Sequence, residues 1–268
     1  MLSRHQCRFC VIDIKAIALL SFACFRYTIV KGFSIVGIAQ IIATARSQNR
    51  LVLTEVEAKE IMQSAGVPVV KTILAKTKNE ALQLSEQIGF PIVAKIVAPD
   101  ITHKSDAGGV RMNISDRVQM EQAWDDLMSN AQAAFPNSQI DGVAVQPQAP
   151  EGTEVIIGGS QDPQFGPIVM FGLGGVFVEI LKDVSFRIVP LSDNDASEMI
   201  TDIKSYKVLE GYRGNAAADT SAIQKALVAT STLLETNPDI AELDLNPVFA
   251  YSDGILAVDA RIILKDQS

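Results

Sequence analysis

Three stretches of this chain carry residue types that can do chemistry. The first centres on Lys95, the one charged residue in the apolar run Ile92-Val93-Ala94-Lys95-Ile96-Val97. A buried ammonium is costly unless it meets an anion. Taken alone, such a lysine is read as an edge residue pointing to solvent. The continuation changes the reading: Pro99-Asp100-Ile101-Thr102-His103-Lys104-Ser105-Asp106-Ala107-Gly108-Gly109-Val110 is a polar loop that ends in two glycines before a return strand. Glycines let backbone amides approach phosphate oxygens without a side-chain clash. The pattern is not a P-loop, which needs G-x-x-x-x-G-K-[ST] ahead of a helix. His103 is one of two histidines, the other being His5. A loop histidine is open to four readings: solvated surface residue, metal ligand, general base or phosphoryl acceptor. With so few His and Cys residues a His-rich metal site is excluded, and the neighbouring Lys104 and glycines suit anions. That favours phosphate chemistry, with Lys104 itself solvated.

The second stretch is Ile240-Ala241-Glu242-Leu243-Asp244-Leu245-Asn246-Pro247. Strand alternation places Glu242, Asp244 and Asn246 on one face. A turn at Tyr251-Ser252-Asp253-Gly254 pairs Ala250 with Ile255, and the same register sets Asn246 opposite Asp259. Cross-strand Cβ atoms lie about 5 Å apart, a separation at which two oxygen ligands suit Mg²⁺. A slip of one residue would remove the pairing. The third stretch, Gln146-Pro147-Gln148-Ala149-Pro150-Glu151-Gly152-Thr153-Glu154, links two strands and reads either as an adenine-recognising connection or as a plain Pro-rich loop.

These residues need a scaffold. Thr54-Glu55-Val56-Glu57 and Thr77-Lys78-Asn79-Glu80 read as capping boxes that open helices, the first with Ala58, Ile61, Met62 and Ala65 on its apolar face. Gly66 and Gly89 read as stops. A longer helix carries Met120, Ala123, Trp124, Leu127, Met128 and Ala131. Helices are also expected near 193–201 and 221–234. Strands are expected at 69–74, 92–97, 143–146, 154–157, 168–171, 240–249 and 255–263. Alternating helices and late hairpins give an α/β or α+β domain without an internal repeat.

Composition narrows the class. The 268 residues are 48% hydrophobic and 20% charged, so a sizeable core is expected. A net charge of -8 disfavours nucleic acid as a partner. Cys7, Cys10 and Cys24 all lie at the start, which fits a reducing, cytoplasmic setting better than a disulfide scaffold. One Cys-x-x-Cys lacks the second ligand pair that zinc needs. Residues 1–38 are unlike the rest. Their apolar run, Ala16 to Phe25, is too short to span a bilayer. They are read as an over-extended start or a peripheral helix, and no membrane association is expected.

At the stretches LTEVEAKEIMQSAGVPV, FPIVAKIVAPDITHKSDAGGVRMNI, DPQFGPIVMFGLGGVFVEILKDVSFRIVPL, GYRG and ELDLNPVFA the chain resembles the ATP-grasp subunit of ADP-forming acetyl-CoA (acyl-CoA) synthetases, relatives of the nucleotide-binding subunit of succinyl-CoA synthetase. The resemblance implies an ATP-grasp fold over 39–268, with two lobes, each a mixed or antiparallel sheet packed by helices, and a small lobe at roughly 67–140. It implies the reaction acyl-CoA + ADP + phosphate ⇌ acid + CoA + ATP, with ATP/ADP and Mg²⁺ as cofactors. A phosphohistidine relay would use His103, oriented by Asp244. Lys95 matches the phosphate-contacting strand lysine, Asn246 and Asp259 the Mg²⁺ ligands, and Gln146 and Glu154 positions near adenine and ribose. Gly108 and Gly109 would hold phosphate. Glu179, Arg187 and Arg213 fall in family-like stretches, with an ion pair the competing role for Arg187. Because no CoA or acyl site is visible, a CoA-binding partner subunit in a hetero-oligomer is implied. Two other classes stay open: an ATP-binding regulatory module of a synthetase-like acetyltransferase system, and another ATP-grasp carboxylate ligase.

Overall fold

The structure, a computed structural model, describes residues 37–98, 108–175, 178, 180–211 and 216–266. The N-terminal extension therefore lies outside the described residues almost entirely, and His103, Glu179 and Arg213 lie outside them too.

Helix starts follow local chemistry. Thr54 caps α2 (Glu55–Ser64): its hydroxyl accepts from the Glu57 amide, and the Glu57 carboxylate accepts from the Thr54 amide at 2.8 Å. Arg50 then clamps the same carboxylate with two bonds of 2.9 and 2.7 Å. Thr77 caps α3 (Lys78–Ile88) from one side only, because Glu80 reaches the Lys76 amide instead. Gly89, at φ 85°, ends that helix. α1 (Ile38–Ser47) has no side-chain cap and buries Ile41, Ile42 and Ala45.

The architecture is α/β, in two lobes, each an antiparallel sheet packed by helices. The small sheet joins β1 (Ile73–Ala75), β2 (Ile92–Val97), β3 (Val110–Ile114) and β4 (Gly142–Pro147) in the order β1-β4-β2-β3. α3 and α4 (Arg117–Ala134) cover one face, with Met120, Trp124 and Leu127 packed on Ile92, Ala94 and Ile96. The opposite face carries Val93, Lys95, Val97, Ala144 and Gln146, all buried and all outside that helix-packed core. β4 lies beyond residue 140, so this sheet extends past the stretch marked out in the sequence.

The large sheet has β5 (Thr153–Asp162), β6 (Gly166–Leu173), β7 (Val184–Ile188), β8 (Ile240–Tyr251), β9 (Gly254–Ala257) and β10 (Arg261–Leu264). Their order is β10-β8-β5-β6-β7, with β9 also on β8. α5 (Asp193–Asp202) and α6 (Thr220–Thr236) join α1 and α2 around its core of Val155, Ile157, Phe171, Leu243 and Leu245. Two expected elements changed form. The strand at 69–74 shrinks to β1, with Val69 making only an isolated bridge to Ala257. The strand at 255–263 divides into β9 and β10 around 258–260.

Candidate functional site

The site forms where the uncovered face of the small sheet meets α2 and the break between β9 and β10. Lys95 projects from β2 and is 5% exposed, so the solvent-facing reading of this side chain is corrected. Its Nζ donates to Glu55 Oε1 at 2.7 Å and to Asp259 Oδ2 at 3.1 Å. Burial acts to lower its pKa, but the Glu55 and Asp259 carboxylates outweigh that and hold it raised. The glycine pair returns to this point. Ile96 N donates to Gly109 O at 2.8 Å, and Val110 pairs with Lys95 in the ladder. Gly108 sits at φ 61° with its carbonyl accepting from Asn130 Nδ2 at 3.3 Å.

Glu55 Oε1 serves a second lysine that sequence reasoning passed over. Lys59, one turn further along α2 and 3% exposed, donates to Glu55 Oε1 at 2.8 Å, to Thr72 Oγ1 at 2.8 Å and to Gln146 Oε1 at 2.7 Å. Those three bonds use every proton of an ammonium group. Burial first, then the nearby Lys95 charge, push the Lys59 pKa down to about 8, against the pull of Glu55. A signal was present: Glu55, Ala58, Lys59 and Met62 occupy positions i, i+3, i+4 and i+7, a buried stripe with an ion pair inside it.

Gln146 is wholly buried beside this cluster. An ammonium can only donate, so the amide oxygen faces Lys59. Nε2 then has no partner among the described residues. Glu154 is on β5 of the large sheet, where its carbonyl accepts from Gly174 N at 2.8 Å. A Cβ on Gly174 would stand 2.9 Å from the Glu154 Cβ, so this glycine serves close packing.

The late hairpin keeps one register on both sides of its break. Val248 pairs with Ala257 and Ala250 with Ile255, while Asp244 pairs with Arg261 and Leu243 with Ile262. Residues 246 and 259 therefore stand opposite one another at the interruption. β8 also carries an extra residue relative to β5 here, with Val155 opposite Val248 but Ile157 opposite Leu245. The buried positions change parity as a result, from Leu243 and Leu245 to Val248 and Ala250. Asn246 is exposed, and the Asp259 side chain is 41% exposed. Together they offer only hard oxygen donors, the type Mg²⁺ takes. Among the described residues no group of three or more His, Cys, Asp or Glu could hold a metal. A cation at this pair would draw the rest of its shell from phosphate and water, which is the Mg²⁺ habit. The pair fits.

Asp244 stands two residues before Asn246 on β8. It lines a cavity of about 300 Å³ with Gly158, Gly159, Phe186, Glu242 and Arg261. Burial raises its pKa, the Arg261 charge opposes this, and the Asp259 and Glu242 charges add to the rise. Arg187 pairs with Asp202 at 2.6 Å, the structural role weighed for it. No helix among the described residues is long and apolar enough to cross a membrane.

The ATP-grasp domain model matches residues 44–264. The beta subunit of acetate–CoA ligase (ADP-forming) I of Pyrococcus furiosus is 48% identical over 225 residues, which cover 84% of this chain and 97% of that protein. The dinucleotide-forming acetyl-coenzyme A synthetase 1 of Ca. Korarchaeum cryptofilum, solved with coenzyme A, Ca-AMPCP and HgCl⁺, superposes with a TM-score of 0.84 at 48% identity, over 85% of this chain and all of that one. Another structure of that synthetase holds coenzyme A and Mg-AMPPCP, with its phosphohistidine segment pointing towards the nucleotide-binding site. It superposes with a TM-score of 0.76 at 45% identity, over 85% of this chain and all of that one. The chain belongs to the ATP-grasp family and, within it, to the beta-subunit family of ADP-forming acetate–CoA ligases.

Proposed function

We propose that the chain is the nucleotide-binding, phosphoryl-transfer subunit of an ADP-forming acyl-CoA synthetase: acyl-CoA + ADP + phosphate ⇌ acid + CoA + ATP. The observation that carries this reading is the meeting of buried Lys95 with Asp259 at 3.1 Å, directly beside the return of the glycine pair. A strand lysine and a carboxylate meet beside the glycine pair, where the phosphates of a nucleotide would lie.

Phosphoryl transfer asks a protein mainly for positioning and charge neutralisation. Lys95 binds phosphate oxygens as a fixed cation. Gly108 and Gly109 present backbone without side-chain bulk. Asn246 and Asp259 hold Mg²⁺, which supplies charge neutralisation on the bound phosphates. Gln146 and Glu154 lie towards the base and ribose. His103 receives the phosphoryl group: as ATP is consumed, the bond from the γ-phosphorus to the bridging oxygen breaks, a bond to a ring nitrogen forms, and ADP leaves. The ring becomes cationic, and a carboxylate on its other N–H stabilises it. Asp244 is assigned that task.

The acyl and CoA chemistry belongs to a CoA-binding partner subunit, in a hetero-oligomer working in the cytoplasm. Incubation with γ-labelled ATP, Mg²⁺ and that partner is expected to place acid-labile phosphate on His103. Label of equal intensity on a His103→Ala chain would remove His103 from the mechanism.

A further inference from the structure

The buried cluster holds two ammonium groups, Lys59 and Lys95, and two carboxylates, Glu55 and Asp259. Within this set of four the charges sum to zero. They are not equally fixed. Glu55 is buried and bridges both lysines, whereas Asp259 stands at the opening with its side chain 41% exposed. Lys59 has each of its three protons bonded and does not reach Asp259 in the bonds it makes. Among the described residues, Lys95 joins the inner pair to the outer carboxylate.

We propose that Lys59 is a positioning residue which keeps a surplus positive charge behind Lys95, and that Asp259 masks this charge until a divalent cation draws the carboxylate away. The proposal rests on the reading of Asp259 as a metal ligand. Its physical basis is charge balance at low dielectric. While Asp259 faces Lys95, an incoming phosphate meets a neutral cluster and a like-charged carboxylate. Once Asp259 serves a cation, Glu55, Lys59 and Lys95 retain one net positive charge in a buried place. An uncompensated buried charge is costly, and an anion at Lys95 relieves it. Removing Lys59 takes one positive charge from behind Lys95 and weakens that pull on an anion. Nucleotide phosphate and cation are thus admitted together, by residues that touch neither the base nor, for Lys59 and Glu55, the phosphate.

The test is calorimetric binding to the full-length chain at pH 7, with ADP and with uncharged adenosine, in EDTA and in Mg²⁺. Lys59→Met is expected to weaken ADP about tenfold in either buffer, the scale of one nearby buried charge, and to leave adenosine binding unchanged. Asp259→Asn is expected to bind ADP more tightly than wild type in EDTA, by about fivefold to tenfold, and to gain nothing from Mg²⁺. The two variants move ADP affinity in opposite directions in EDTA, which loss of folding cannot do. Equal losses of ADP and adenosine in Lys59→Met, or no loss of ADP, overturn the role of Lys59. If Asp259→Asn loses its response to Mg²⁺ but binds ADP in EDTA no better than wild type, the masking role fails while the metal-ligand reading stands. If the response to Mg²⁺ persists in Asp259→Asn, the metal-ligand reading fails, and masking with it.

Discussion

Lys59 and Asp244 both have pKa values displaced by burial, in opposite directions, and a substitution at each has a measurable consequence. The unfolded chain holds the Lys59 proton to about pH 10.4, while the folded protein releases it near pH 8. Between those values the unfolded state binds more protons, so this group makes stability rise with pH. In melting curves taken from pH 7.5 to 9.5, wild type is expected to gain stability relative to Lys59→Met. A constant gap would contradict the depressed value. At Asp244, substitution by Asn removes the charge that the proposed mechanism offers to the histidine ring. The overall rate is expected to fall about a hundredfold, with ADP affinity, measured by calorimetry, held within about twofold. A matching loss of ADP affinity would place Asp244 in nucleotide binding instead. The residue types were legible in the sequence, because Lys95, Gly108-Gly109 and Asp244-x-Asn246 break the local pattern. The partners were not. Nothing local to Lys95 announces Glu55 forty positions earlier, and a lysine inside a helix stripe reads as solvated until the stripe is seen to be buried.

At the scale of elements, the legible parts were those whose signals are local. The Thr54 cap is closed from both sides and braced by Arg50. Thr54→Ala is expected to cost about 1 kcal/mol in urea unfolding, with an unchanged slope. Gly142 is the harsher position. It sits at φ 144°, and an added Cβ would run into the Ala75 carbonyl across the β1–β4 ladder. Gly142→Ala is expected to cost at least ~2 kcal/mol in the same measurement. β7 was not anticipated because its alternation is inverted. Ser185 points inward and donates to Met199 O, while Phe186 and Ile188 stay 53% exposed. α1 escaped notice for a related reason: Gly37 caps it without a side chain, so no start signal exists.

At the scale of the whole molecule, two sheets have separate cores, and a polar cluster of Lys95, Glu55 and Asp259 links the small sheet to α2 and the β9–β10 break. Alternating helices and hairpins made the fold class readable. The division of strands between sheets was not readable, because β4 follows α4 in sequence yet inserts between β1 and β2. That choice is made by long-range pairing. The hairpin built from β8, β9 and β10 gives this arrangement an unexpected tolerance. Its register is fixed twice, by β9 beyond the break and independently by β10 before it. Asp259 is therefore anchored by a strand that does not depend on the tip at Ser252-Asp253. Two residues inserted at that tip should leave Mg²⁺-dependent ADP binding within about twofold of the parent, since surface loops accept added length at small entropic cost. The tip is a place where a reporter group or affinity handle can be attached within one hairpin of the nucleotide site while the ligand geometry stays intact.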